Sequence, residues 1–244
     1  MEDRARIGSV IRQHLEAEQF FAGFSVRGQN DAGEFQEQED DMAVARKAGE
    51  LEKLAEEIRQ CRQCGLGSSR TNAVPGEGNP DARIMFIGEA PGADEDAQGR
   101  PFVGRAGQLL DKIIVACGLE RGDVYIGNIL KCRPPGNRDP HADEIIACLP
   151  YLQRQIEMIK PEVIVALGAH AAKTLLDTTK SIGQLRGQFH EYYAGLDQMP
   201  VKLMATYHPA YLLRSYSPEN RRKVWEDMQK VLTELGLPIP ETPK

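Results

Sequence analysis

Apolar and polar positions along this chain follow two different periods. Four short runs are almost continuously apolar and rich in β-branched residues: 83–89 (RIMFIGE), 123–130 (DVYIGNIL), 162–168 (EVIVALG) and 202–207 (KLMATY). Their length and composition predict strands buried on both faces. Elsewhere the apolar spacing becomes three and four residues, which predicts helices over 105–117, 141–159, 169–177 and 218–235. Asp139-Pro140 suits the N-cap and first turn of one helix, and Ser217-Pro218 suits those of the last. Strands alternating with helices predict an α/β fold, a parallel sheet with helices on both faces.

The N-terminal part reads differently. Residues 4–21 place Ile7, Val10, Ile11, Leu15 and Phe20 near helical spacing. Residues 22–41 are rich in Gly, Gln and acids and read as a linker, because they have little to bury. Residues 43–60 return to a helical pattern and lead into CRQCGLGSSR. The chain thus divides into an extension, 1–45, and a body, 46–240. It shows no internal repeat.

In a parallel sheet, ligands bind beyond the carboxyl ends of the strands. Four loops converge there: GEAPGADEDAQGRPFVG (88–104), NILKCRPPGNRDP (128–140), GAHAAK (168–173) and YHPAYLLR (207–214). Three of them hold the body's most chemically unusual residues. The first resembles a phosphate cradle in its glycines, but it lacks the Gly-Lys-Ser/Thr ending of one. Glu89, Asp94, Glu95 and Asp96 would also repel phosphate.

Composition narrows the picture only a little. The 244 residues are 41% apolar, enough for a sizeable core. No apolar run approaches the length of a membrane span, and the N-terminus lacks an apolar leader. These features predict a soluble, cytoplasmic protein without a membrane partner. Net charge is −6, but it is uneven. Residues 1–50 carry 6 Lys/Arg and 11 Asp/Glu, and the remaining 194 carry 24 and 25. A near-neutral body can still gather its cations on one face, so charge leaves a nucleic-acid partner open.

A reducing compartment makes disulfides among the five cysteines unexpected. Cys61 and Cys64 form a C-x-x-C pair, and Cys132 and Cys148 are the other pair. Four thiolates of this kind hold a zinc ion or an iron–sulfur cluster, and spacing does not choose between them. The plainer alternative is an incidental C-x-x-C and two core cysteines. Cys117 falls on an apolar helical face and reads as core.

Five pieces, in order, resemble the family 4 uracil-DNA glycosylases, the iron–sulfur type. They are CRQC (61–64), GEAPGADEDAQGRPFVGRAGQLLD (88–111), NILKCRPPGNRDP (128–140), ACLPYL (147–152) and HPAYLLR (208–214). The resemblance spans about residues 50 to 236 and leaves the extension outside. It implies a three-layer α/β/α fold around a central four-stranded parallel sheet. It also implies a [4Fe–4S] cluster on Cys61, Cys64, Cys132 and Cys148, with zinc as the alternative. The implied activity is monofunctional hydrolysis of the N-glycosidic bond of uracil in DNA, single- or double-stranded, by a monomer that leaves an abasic site.

On that resemblance, Phe102 stacks on the flipped base and Asn128 reads its edge. Glu89 and Ala90 line the pocket, and Glu89 blocks the 5-methyl of thymine. His208 stabilises the charge gathering on uracil O2. Related glycosylases of another family place an Asp where this chain has Ala90, so Glu95 and Asn137 are the remaining candidates to orient water as a hydrogen-bonded pair. Leu212 or Leu213 is the wedge that fills the vacated stack. Arg214, Arg138, Arg133 and Arg105 are placed to meet phosphates. Asp94 and Asp96 read as solvated.

Two other classes compete with this reading. A non-catalytic nucleic-acid-binding or electron-transfer protein would use the cluster, but it needs no joint presence of Phe102, Asn128 and His208. A nucleotide-binding enzyme would use the glycine loop on phosphate, against which the loop's acidity and missing Lys stand.

Overall fold

The computed structural model describes residues 31–194, 199–215 and 217–241. The chain divides into two units, Met1–Arg46 and Lys47–Lys244. The helix expected over 4–21 lies outside the described residues. Helix α1 (Asp31–Gln60) begins inside the stretch expected to be a linker. Its Glu, Gln and Ala residues favour helix, and Gly33 is the one glycine in the stretch 31–41.

All four expected strands are present. They are β2 (Ile84–Gly88), β3 (Tyr125–Asn128), β4 (Val163–Leu167) and β6 (Val201–Thr206). They pair in parallel, β3 with β2, β2 with β4 and β4 with β6. Two antiparallel edge strands extend this centre: β1 (Glu77–Gly78) beside β3 and β5 (Phe189–Tyr192) beside β6. The sheet order is β1-β3-β2-β4-β6-β5, so it is mixed rather than wholly parallel. The sequence hides the edges for a physical reason. One has two residues, and the other (FHEY) alternates polar and apolar positions without a continuous run.

Strand periodicity divides the core. Met85, Ile87, Ile164, Ala166, Leu203 and Ala205 face one layer, with Leu54, Ile58, Leu152 and Ile156. Ile84, Phe86, Val163, Val165 and Met204 face the other, with Leu110, Ile114, Met228 and Val231. The first layer uses α1 and helix α5 (Ala142–Ile159), and the second uses α4 (Arg105–Ala116) and α9 (Pro218–Glu234). Every residue of β2 and β4 is buried, which explains their unbroken apolar sequence.

Local details correct the sequence expectation. A short helix, α3 (Ala93–Gln98), sits inside the glycine loop. Helix α5 is capped by His141, whose N–H donates to Glu144 at 2.8 Å, so Asp139-Pro140 lies outside it. Ser217 and Pro218 do stand at the N-cap and first position of α9. Short helices occur elsewhere: α2 (Leu66–Ser69) before the first strand, and α6 (Ala169–Leu175), α7 (Ile182–Leu185) and α8 (Pro209–Arg214) between or after later ones.

Candidate active site and cysteine nest

The loops after β2, β3, β4 and β6 enclose a cavity of about 620 Å³ at the carboxyl end of the sheet. Its walls include Glu89, Ala90, Glu95, Phe102, Asn128, Asn137 and His208, which are the catalytic and base-binding residues expected from the sequence. They come from three chain segments, those after β2, β3 and β6, and meet because each leaves its strand at the same end of the sheet.

His208 follows β6 and caps α8. Its Nδ1 accepts the Ala210 N–H at 3.0 Å. That bond leaves the ring proton on Nε2 when the imidazole is neutral. Burial depresses the imidazole pKa from 6.5 to about 4, the Arg214 cation adds to this, and Glu95 opposes it. The ring is therefore a neutral donor at neutral pH. The Phe102 ring lies 5.7 Å away, tilted by 31°. Gly168 makes room for this arrangement: with φ +92°, its place would put a Cβ 2.9 Å from His208 Cβ.

Asn128 ends β3 and is 2% exposed. Its Oδ1 is buried with no hydrogen-bond partner. A buried amide oxygen left unpaired costs about 1–3 kcal/mol, so its place in a cavity wall points to a ligand N–H. Phe102 stands close by. A Cβ on Gly88 would fall 2.3 Å from Asn128 Oδ1 and 2.6 Å from Phe102 Cζ, so only glycine admits both side chains. Phe102 holds φ +50°, a left-handed backbone that costs a non-glycine residue about 1–2 kcal/mol.

Glu95 offsets that strain. Its Oε1 accepts the N–H groups of Val103 (2.9 Å) and Gly104 (3.0 Å), and its Oε2 accepts that of Gly92 (3.1 Å). The carboxylate thus ties both ends of the loop that carries Phe102. This corrects the expected pair: no hydrogen bond joins Glu95 to Asn137 among the described contacts. Asn137 Oδ1 instead accepts from Arg133 Nε at 2.8 Å. Asp96 is corrected too. It is 5% exposed, and its Oδ1 accepts the Thr71 N–H at 2.9 Å, so it anchors the loop rather than facing solvent.

Glu89 lies at the cavity mouth, where burial raises its carboxyl pKa above the usual range while His170 counters. His170 Nδ1 is 3.9 Å from Glu89, and its Nε2 is 3.7 Å from Asp139. Sequence reading passed over His170. The loop GAHAAK offered no unusual residue beyond that one histidine, and the histidine gains meaning only from the neighbours that the fold supplies.

The residues expected to touch DNA separate. Leu212 is 4% exposed and packs inward, so it is not available as a wedge; Leu213 is 39% exposed. The difference follows from their adjacent places on α8, which face different ways. Arg214 is exposed and lines the cavity. Arg138 also lines it, but its guanidinium bonds both oxygens of buried Glu144, at 2.6 and 2.9 Å. That pair holds Glu144 down to about 2 and leaves Arg138 less cation to offer a phosphate.

Behind β3 lies a second cluster. Cys61, Cys64, Cys132 and Cys148 line one small cavity with Ile58, Arg70 and Tyr151. All five described cysteines are free thiols. Arg70 Nη1 donates to Cys132 Sγ at 2.9 Å, and the Lys131 N–H donates to Cys148 Sγ at 3.2 Å. Burial pushes the Cys148 thiol up to about 11, and Lys131 opposes that rise. Four sulfur donors with N–H groups and a cation aimed at them fit an anionic metal–thiolate centre. Among the described residues, Glu89, Asp139 and His170 each bring one donor atom within 4.8 Å of the other two.

The sequence model of the Uracil DNA glycosylase superfamily matches residues 75–229. The chain is 50% identical over 186 residues to a type-4 uracil-DNA glycosylase of Saccharolobus solfataricus, covering 74% of this chain and 84% of the relative. It is 49% identical over 181 residues to that of Thermotoga maritima, covering 74% and 92%. A type-5 uracil-DNA glycosylase of Pyrobaculum aerophilum is 34% identical over 154 residues, covering 57% and 66%.

Proposed function

The chain belongs to the uracil DNA glycosylase superfamily, and from that premise we propose that it is a type-4 DNA-repair enzyme with the following division of labour. The enzyme acts on DNA and hydrolyses the N-glycosidic bond of uracil. A base inside a duplex is out of reach, so the nucleotide is flipped into the cavity at a cost of a few kcal/mol. Phe102 receives the ring face. Asn128 Oδ1 accepts from uracil N3–H, and its amide NH2 donates to O4. Cytosine presents the opposite pattern at both positions and is refused.

Neutral His208 donates Nε2–H to O2 as the bond electrons leave with N1. A donor aimed where charge develops stabilises the transition state more than the ground state. Water then bonds to the sugar carbon, and the proton it gives up neutralises the departed uracil anion through solvent. Glu89 and Asn137 at the mouth hold that water, and Glu95 holds the loop under Phe102. Leu213 fills the vacated stack, and Arg214 meets phosphate. Residues 46–240 form the catalytic domain, and 1–45 are an extension to it. No described helix is long and apolar enough to cross a membrane. The enzyme works as a cytoplasmic monomer.

Cys61, Cys64, Cys132 and Cys148 hold a [4Fe–4S] cluster, whose part is to fix the C-x-x-C segment to the loop after β3. The likeness to type-4 relatives favours the cluster, and a tetrahedral zinc on the same four thiolates is the alternative. Purified protein is expected to be brown and to contain iron. A colourless protein with stoichiometric zinc overturns the assignment.

The observation that carries the base assignment is the unpaired, buried Asn128 Oδ1 close to Phe102 in a cavity that His208 also lines. The test is an oligonucleotide with a single uracil, incubated with the protein and resolved on a gel with and without alkali. Cleavage is expected at uracil only, and only after alkali. An intact strand after alkali, or a break without it, defeats the reading.

A further inference from the structure

The cavity extends well past the residues that would hold uracil. A volume of about 620 Å³ suits a drug-sized ligand, more than one pyrimidine ring fills. Beyond His208 its wall is Ile182, Tyr207, Tyr211 and Arg214. The two tyrosine rings stand 5.1 Å apart, tilted by 38°. Tyr207 also meets Arg186, whose guanidinium carbon is 5.6 Å from the ring centre.

The inner end of this stack is fixed. Arg186 bonds both oxygens of fully buried Asp227, at 2.8 and 3.1 Å. Asp227 also accepts the Thr206 hydroxyl at 2.7 Å, just before Tyr207 in the chain. The outer end is open: Tyr211 is 37% exposed. It shares α8 with exposed Leu213 and with Arg214 at the cavity lip. A tyrosine that serves only packing would be covered. One that serves only solubility would not be backed by a ring and an anchored cation.

We propose that Tyr211 is a stacking platform for the nucleobase beside the flipped nucleotide, with Tyr207 and Arg186 as its rigid backing and Arg214 at the intervening phosphate. The proposal rests on the uracil reading above and extends it to a second nucleotide. Stacking needs only a base face, so the platform accepts any neighbouring base. It also lets the protein grip single-stranded DNA, where no partner strand holds the neighbour in place.

The test uses the full chain and single-stranded oligonucleotides carrying 2′-fluoro-2′-deoxyuridine, which resists excision. Fluorescent 2-aminopurine occupies its 5′ or its 3′ side. In the wild-type complex one of the two positions is expected to be quenched by the ring. Tyr211→Ala is expected to lose that quenching and about tenfold in affinity, whereas Tyr211→Phe keeps both within twofold. If Tyr211→Ala matches wild type at both positions, or if Tyr211→Phe fails as Tyr211→Ala does, the platform is refuted. Excision of ordinary uracil by the wild-type protein is measured alongside. Excision without any effect of the ring defeats the platform alone, and absence of excision defeats the functional reading.

Discussion

Asn128 and Cys132 stand at the two ends of one five-residue stretch, yet they serve regions built in opposite ways. The cysteine nest repeats one donor type, and every member does the same thing. The proposed base pocket would use each side chain once, for a different face or edge of one ring. A repeated donor tolerates approximate placement, because a metal centre gathers its ligands. A set of unlike groups has no such help and must be positioned beforehand by the fold. The means are visible: a carboxylate holding three backbone N–H groups under Phe102, a backbone N–H fixing the His208 tautomer, and glycines where a Cβ would collide.

Lys131 joins the two regions. It is 1% exposed, and its Nζ donates to Asn128 O at 2.8 Å and to Gln155 Oε1 at 2.7 Å. Its backbone N–H meets Cys148. One buried side chain thus steadies the strand end that carries Asn128, while its own backbone meets a sulfur.

Substitutions should pull the two regions apart. His208→Ala is expected to lower single-turnover excision by roughly 10²–10³-fold, the usual cost of one transition-state donor, with colour unchanged and only a small fall in melting temperature from the lost α8 cap. An unaltered rate removes His208 from the chemistry. Cys61→Ser with Cys64→Ser is expected to do the reverse. Iron content and visible absorbance vanish and melting falls by more than ~10 °C, because binding energy at a structural centre is folding energy. If melting holds after iron is lost, the nest does not support the fold.

Asn128→Asp is expected to cut uracil excision about 10–100-fold and narrow the preference over cytosine, since a bidentate base contact discriminates by ~1–3 kcal/mol. Paired uracil and cytosine substrates check it; undiminished selectivity assigns edge reading elsewhere. Lys131→Met, which keeps length and removes both donors, is expected to lower stability by about 1–3 kcal/mol in denaturant unfolding. The backbone N–H to Cys148 remains in this variant, so iron content is expected to persist, and loss of iron as well would show that the side chain couples the two regions.

Acid gives the smallest effect. The His208 pKa is about 4 in the folded chain against an ordinary 6.5. Between those values the unfolded chain takes up a proton that the folded chain refuses, so acid in this window favours unfolding. Stability should be fully present above pH 6.5 and fall by at most about 2 kcal/mol between pH 7 and pH 5. His208→Ala should remove that part of the slope. An unchanged slope in the variant would show that the imidazole is not held neutral by burial.

The central strands were legible because burial on both faces leaves an unbroken apolar run. The cysteines were legible because their chemistry does not depend on a neighbour's orientation. Asn128, Phe102 and His208 were legible as motif positions, and the cavity gathers them. Leu212 and Leu213 could not be told apart before the turn of α8 was known. Asp96 and Glu95 looked like members of one acidic loop. One proved to anchor residue 71 and the other to hold the turn around Phe102, because hydrogen bonds depend on direction as well as composition.

By itself, then, the sequence determined the alternation of strand and helix, the four sulfur donors and the loops that would converge at one end of the sheet. These follow from periodicity and residue type, which are local. Tertiary structure alone decided that Asn128 Oδ1 is left without a partner, that His208 is a neutral donor, that His170 stands beside Glu89, and that an anchored tyrosine stack continues the cavity. Each of those depends on distances between segments far apart in the chain, and such distances exist only once the sheet has brought the loops together.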